Sequence, residues 1–98
     1  MNSITEADEL EKFSPVADRR PFEVILRGGK PWGFILAGGE GEDSPLHISQ
    51  IDENSGAENS ALLVGDIVLS VNGISCGSYQ SAKQLVDSAF RTLTLKIL

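Results

Sequence analysis

This chain has one cysteine, one histidine and fewer basic than acidic residues, and each shortage removes a class of function. Cys76 stands alone, so no intrachain disulfide can form, no cysteine-based zinc site is expected, and the count fits a reducing compartment. His47 is the single histidine. No set of serine, histidine and acid comes together around it in the expected fold, so no catalytic residues are expected and the chain reads as a non-enzyme. The pairs Gly28-Gly29 and Gly38-Gly39 lack the G-x-G-x-x-G and G-K-[ST] spacings that hold nucleotide phosphates. No cofactor and no metal is expected. Eight Lys and Arg against fourteen Asp and Glu give a net charge of -6. That argues against nucleic acid or an anionic membrane surface as the main partner, since both require a basic face. No apolar run approaches membrane-spanning length, and the N-terminus lacks a basic-then-apolar signal pattern. The expectation is a soluble, cytoplasmic protein.

What is present fits one small domain: 98 residues support a single modest core, and 41% apolar content is ordinary for a globular fold. Residues 1–20 differ from the rest. Ser3 with Glu6 resembles a capping box, but Ser14-Pro15 stops any helix early. This segment reads as a flexible extension or linker, and residues 21–98 as the folded domain. Phe22, Val24 and Leu26 alternate onto one face of a strand ending at Arg27. Trp32 to Ala37 and Leu46 to Ile51 form the next two strands, joined by a long glycine-rich and acidic loop. Ala57 to Ala61 can form a single helical turn. Gly65-Asp66 turns the chain into a further strand, and Asn72-Gly73 is a strong hairpin signal. Ser78 is a good N-cap for a helix from Tyr79 to about Ala89. Within it Ala82, Leu85, Val86 and Ala89 make a core-facing stripe, and Tyr79, Lys83 and Val86 make a second stripe beside it. Leu93, Leu95 and Ile97 alternate along a closing strand over Thr92 to Leu98. The expected fold is mainly β, with about six short strands, one short helix and one longer helix.

The stretch Arg27-Gly28-Gly29-Lys30-Pro31-Trp32-Gly33-Phe34 is the candidate site. Glycines allow backbone N–H groups to converge, making a concavity for an anion that a nearby Arg or Lys deepens. The strand leaving that loop can offer unpaired N–H and C=O groups to an incoming peptide. A Gly-Gly pair by itself is more often a plain turn before a core strand, so the surrounding sequence decides.

Three elements, in order and at matching separations, resemble the PDZ domain family over roughly residues 21–98. In the first, Pro31-Trp32-Gly33-Phe34 stands where the family has Gly-Leu-Gly-Phe, with Arg27 four residues before it. The second is Leu63-x-Gly65-Asp66-Ile67-x-Leu69-x-Val71-Asn72-Gly73, and the third is the helix from Tyr79 with its following strand. The Pro-Trp-Gly-Phe variant is similar to PDZ domains of actin-associated scaffolds of the Shroom, PDZ-LIM and synaptopodin groups. The resemblance implies a partly open β-barrel or sandwich that binds the hydrophobic C-terminal peptide of a partner by strand addition. Trp32, Gly33 and Phe34 would hold the terminal carboxylate through backbone N–H groups, with Arg27 assisting and Lys30 a second candidate or a solvated loop charge.

The resemblance also places the ligand's last side chain against Trp32, Phe34, Leu36 and Val86, with Ile35 and Ala37 on the opposite side of the strand. Ser49 would meet side chains one or three residues from the ligand's end, and His47 either joins it or is simply an exposed strand residue. Glu40, Glu42 and Asp43 either attract basic residues further upstream or form a solvated loop. Tyr79 departs from the His that favours Ser or Thr two residues from the end. Together with Lys83 it implies an apolar preference there first and an acidic one second. The implied setting is a scaffold in the cytoplasm, at the cytoskeleton or cell junctions, acting as a monomer that meets membranes only indirectly. Phosphoinositide binding and self-association are the alternative readings.

Overall fold

Alternation decides the larger of two sheets. The structure, a computed structural model, describes residues 20–98; the extension expected over residues 1–20 lies, Arg20 apart, outside the described residues. Strand β1 (Phe22–Arg27) buries Val24 and Leu26, and the last strand, β6 (Thr92–Ile97), buries Leu93, Leu95 and Ile97 completely. The two pair antiparallel from Phe22 opposite Ile97 to Arg27 opposite Thr92, so both apolar rows point the same way. Each fully buried Leu or Ile contributes about 1.5–3 kcal/mol of hydrophobic stabilisation. Phe22, expected on the buried face, lies at the end of its strand and stays 48% exposed at the rim.

β4 (Val68–Val71) and the two-residue β5 (Ile74–Ser75) complete this sheet in the order β1-β6-β4-β5. The hairpin between them turns at Asn72 (φ +50°) and Gly73 (φ +82°), the conformation that Asn-Gly adopts at least cost. Asn72 also joins the hairpin to β6. Its N–H donates to the Thr94 carbonyl at 2.7 Å, and its Oδ1 accepts the Thr94 N–H at 2.8 Å. Ahead of β4, the Asp66 carboxylate accepts the Leu63 N–H at 2.8 Å and closes the Gly65-Asp66 turn.

β2 (Phe34–Ala37) and β3 (His47–Ile51) form a separate antiparallel pair. A bridge between His47 and Ile67, with Ile48 N–H donating to Asp66 O and Val68 N–H to Leu46 O, fastens this pair to the larger sheet. Helix α1 (Tyr79–Ser88) starts where expected: Ser78 is extended and its Oγ accepts the Ser81 N–H at 3.1 Å. Ala82 and Val86 are buried, as is Ala89 just past the helix end, while Leu85 packs against the core from its margin.

The described residues contain six strands and one helix. The short helix expected around Ala57–Ala61 is a run of turns instead. Its polar side chains compete for the backbone. Ser55 Oγ accepts the Glu58 N–H, Glu58 Oε1 accepts the Asn54 N–H, and Ser60 Oγ donates to Ala57 O and accepts the Leu62 N–H. The segment has capping interactions but no helix body. Ala57 is fully buried and donates its N–H to Trp32 O at 3.0 Å, so the turns serve as a buttress behind the Trp32 loop.

Candidate functional site

Among the described residues β2 has a neighbour on one side only, β3, and its other edge faces α1. Unpaired strand edges offer backbone donors and acceptors for another chain. Between that edge and the helix runs a slot of about 190 Å³ lined by Phe34, Ile35 and Leu36 on one wall and Tyr79, Lys83, Val86 and Asp87 on the other. It continues past Phe34, Val86 and Asp87 into a wider cavity of about 490 Å³, where Lys30, Pro31, Trp32, Gly33 and Asp52 complete the lining. The groove therefore has a strand-edge section and a loop-lined end.

The loop end is built from backbone. Gly33 has φ +94°, and a Cβ there would lie 2.1 Å from Ser55 Cβ, so only glycine fits. Its carbonyl accepts the Asp52 N–H at 2.8 Å, and the Trp32 carbonyl accepts that of Ala57. Among the described residues the Trp32 and Gly33 amides donate to no backbone carbonyl in the loops. Trp32 is 5% exposed, and its indole N–H is buried with no acceptor among the described residues. Upstream, the Gly28 and Gly29 amides are engaged by Arg91 O at 3.0 and 3.2 Å, so they hold the loop's base and are not donors for a ligand. Trp32 lies in the loop and β2 begins at Phe34, because the positive φ at Gly33 breaks the extended run expected from Trp32.

The expected site residues fall into three groups. Trp32, Gly33 and Phe34 line the loop end, while Leu36, Val86, Tyr79, Lys83 and Ile35 line the slot. Tyr79 is 41% exposed at the helix start, and Lys83 is paired with Asp87 at 3.3 Å on the helix surface, an exposed pair worth little. A second group lies outside the two cavities. Arg27 is exposed at the end of β1, opposite Thr92, and Ala37 ends β2 opposite His47. The third group has its polar atoms occupied. Ser49 Oγ donates to the Ile35 carbonyl at 3.1 Å, at a register shift where β3 carries one extra residue, and His47 Nδ1 donates to Pro45 O at 2.7 Å.

Two residues with larger parts than expected are Lys30 and Asp52. Lys30 lines the loop-end cavity, and its Nζ reaches across to donate to Asp87 O near the end of α1 at 2.5 Å. At the other end of the helix, Glu40 N–H donates to Gly77 O at 2.9 Å, just before the Ser78 cap. Glu42 and Asp43 are exposed on the loop between β2 and β3. Cys76, in the connection before α1, has its thiol pushed above the usual range by burial. Among the described residues no group of three His, Cys, Asp or Glu could hold a metal ion, and no helix is long and apolar enough to cross a membrane.

Comparison with known proteins agrees with this geometry. The model of the PDZ domain family matches residues 23–98. Rat (Rattus norvegicus) synaptopodin-2 is 41% identical over 76 residues, which is 76% of this chain and 6% of that protein. Human Shroom2 is 41% identical over 80 residues, or 80% of this chain and 5% of that protein. Chicken (Gallus gallus) PDZ and LIM domain protein 4 is 49% identical over 55 residues, 56% of this chain and 17% of that protein. The chain thus spans a small fraction of the curated relatives it matches. Among solved structures, the second PDZ domain of Dlg1 from the choanoflagellate Monosiga brevicollis superposes with a TM-score of 0.71 at 32% identity, covering 80% of this chain and 97% of that one. Motif, groove and likeness agree, and the chain belongs to the PDZ domain family, a family of protein–protein interaction modules.

Proposed function

We propose that this module captures the free C-terminus of a partner protein by adding it as a strand along β2. The observation that carries this reading is the β2 edge facing α1, unpaired among the described residues, with a cavity lined by the Trp32–Phe34 loop at one end. A peptide running antiparallel to β2 gains main-chain hydrogen bonds along the slot and ends in that cavity. There its carboxylate loses water, and the Trp32, Gly33 and Phe34 amides replace that hydration as charge-assisted donors. Lys30, lining the same cavity, supplies the nearest counter-charge, and Arg27 acts at longer range. The last side chain enters between Phe34, Leu36 and Val86, which selects a hydrophobic residue. Tyr79 and Lys83 meet the side chain two residues earlier, favouring an apolar residue first and an acidic one second. Affinity is near the micromolar scale that a small augmented-strand site supports. The module acts as a monomer within a cytoplasmic scaffold at the cytoskeleton or cell junctions.

A screen of random peptides with free C-termini, repeated with amidated versions of each hit, tests this. Amidation should abolish most of the affinity. Amides that bind as well as the free acids would overturn the carboxylate assignment.

A further inference from the structure

Behind the loop end of the groove, the turn after β3 carries a hydroxyl that peptide capture does not use. Ser55 Oγ donates to Asp52 O at 2.7 Å and accepts the Glu58 N–H at 3.1 Å, closing that turn on itself. The same side chain lies against the loop. A Cβ added at Gly33 would fall 2.1 Å from Ser55 Cβ and 2.3 Å from its Oγ, so no further atom fits between them. On either side of Ser55, the Asp52 N–H donates to Gly33 O and the Ala57 N–H to Trp32 O, fixing turn to loop. The flanking sequence Asp52-Glu53-Asn54-Ser55-Gly56-Ala57-Glu58 sets carboxylates three and two residues before Ser55 and three after it. All three acids are exposed, in a run of turns outside any strand or helix. Ser55 itself is half-buried, and local opening of this short turn frees its hydroxyl. Ser49 also precedes an acid, Asp52, by three positions, but it lies within β3 with its hydroxyl donating to Ile35 O.

We propose that Ser55 is a phosphoryl-acceptor site for an acid-directed serine kinase, and that its phosphorylation weakens the loop's hold on the ligand's carboxylate. A kinase with a basic substrate groove is complementary to a serine flanked by acids on both sides. In the transfer, Oγ bonds to the γ-phosphorus of ATP as the bond from that phosphorus to the bridging oxygen breaks. ADP leaves, and the hydroxyl proton passes to the kinase's base. The effect on binding rests on the C-terminal peptide reading above. The phosphoryl group adds a charge of about −1.5 to −2 and removes the hydrogen donated to Asp52 O. No cation answers it within the turn, whose charged side chains are Asp52, Glu53 and Glu58. With no space toward Gly33, the group turns outward and pulls Ser55 against the hydrogen bonds of Asp52 and Ala57 that hold the loop. The added charge also stands beside the cavity that Asp52 lines, where it repels the incoming carboxylate. Each exposed charge changes affinity by about one- to fivefold, so the doubly charged group should weaken binding by at least threefold.

The test treats the intact chain with casein kinase II and magnesium ATP and maps the phosphate by mass spectrometry. One fluorescent hydrophobic-ended peptide, as free acid and as amide, is titrated before and after. Phosphate should appear on Ser55, more slowly in Glu58→Gln, and Ser49→Ala should be modified as readily as the parent chain. The free acid should then bind at least about threefold more weakly until a phosphatase restores it. No phosphate on Ser55, or phosphate confined to Ser49, would overturn the assignment. Phosphate on Ser55 with unchanged affinity would overturn the coupling to the loop, as would a circular dichroism spectrum showing the phosphorylated chain unfolded. Free acids that bind no more tightly than amides before any phosphorylation would overturn the C-terminal reading, and this regulation with it.

Discussion

Replacing Gly33 with alanine tests the loop geometry most directly. Two costs arise at one atom. The backbone there has φ +94°, which a residue with a side chain occupies only at about 1–3 kcal/mol. The new Cβ would also sit 2.1 Å from Ser55 Cβ and 2.3 Å from its Oγ, where ordinary contact needs about 3.5–4.0 Å. Relieving that overlap requires the Trp32–Phe34 loop and the Ser55 turn to separate, an overpacking cost of about 1–3 kcal/mol. The sum, about 2–6 kcal/mol, is a large share of the stability of a domain this size, about 5–15 kcal/mol at most. Urea unfolding followed by tryptophan fluorescence measures it, since Trp32 is the only tryptophan and lies beside the substitution. A double-mutant cycle with Ser55→Gly separates the two costs. Ser55→Gly alone should destabilise by about 1 kcal/mol, because Ser55 Oγ accepts the Glu58 N–H and donates to Asp52 O. In combination with Gly33→Ala it should recover the overlap part, a favourable coupling of about 1–3 kcal/mol. Strict additivity, or a Gly33→Ala cost below about 1 kcal/mol, would refute the close approach of loop and turn.

Three further outcomes follow from the same structure. Ser78→Ala removes the acceptor for the Ser81 N–H and should cost about 1 kcal/mol in urea unfolding, with no change in the peptide's residue preferences. Lys30→Met should weaken peptide binding by about two- to fivefold at low salt, and less as salt rises, whereas Arg27→Met should do less, because only Lys30 lines the cavity. Equal effects in fluorescence titrations would refute that ranking. Burial raises the Cys76 pKa, so at pH 8 its thiolate fraction is smaller folded than unfolded, and reaction with a disulfide reagent should be slower in buffer than in urea. The folded state then keeps the proton longer, so this group's contribution to stability is lost as pH climbs above the unfolded value near 9.

Much of this fold was legible because its signals are local. The alternation of Val24 and Leu26, and of Leu93, Leu95 and Ile97, needs only strand geometry to be read. Ser78 announced the helix, and Asn72-Gly73 the hairpin. What escaped the sequence depends on contacts between distant segments. The Ala57 segment became turns because Ser55, Glu58 and Ser60 bind the backbone themselves, and their combined hydrogen bonding has no periodicity to detect. The extra β3 residue that ties Ser49 to Ile35 leaves no trace in an alternating pattern. Lys30 looked like any loop lysine until the end of α1 was brought beside it, and no local signal marks Asp52, whose N–H meets the Gly33 carbonyl. At the loop end Trp32, Gly33 and Phe34 were legible from their motif, and what was not legible there is the placement of Lys30 and Asp52 around them.

The two contacts at opposite ends of α1 have a further consequence. Lys30 ties the end of the helix to the loop before β2, and Glu40 ties the start to the loop after it. The helix is thereby tethered at both ends to the segments flanking the strand it faces, which restrains the aperture between them. A restrained aperture spares a guest part of the cost of ordering its host. In the binding mode proposed above, the slot would then gauge side-chain girth, rejecting what is too thick and holding loosely what is too thin.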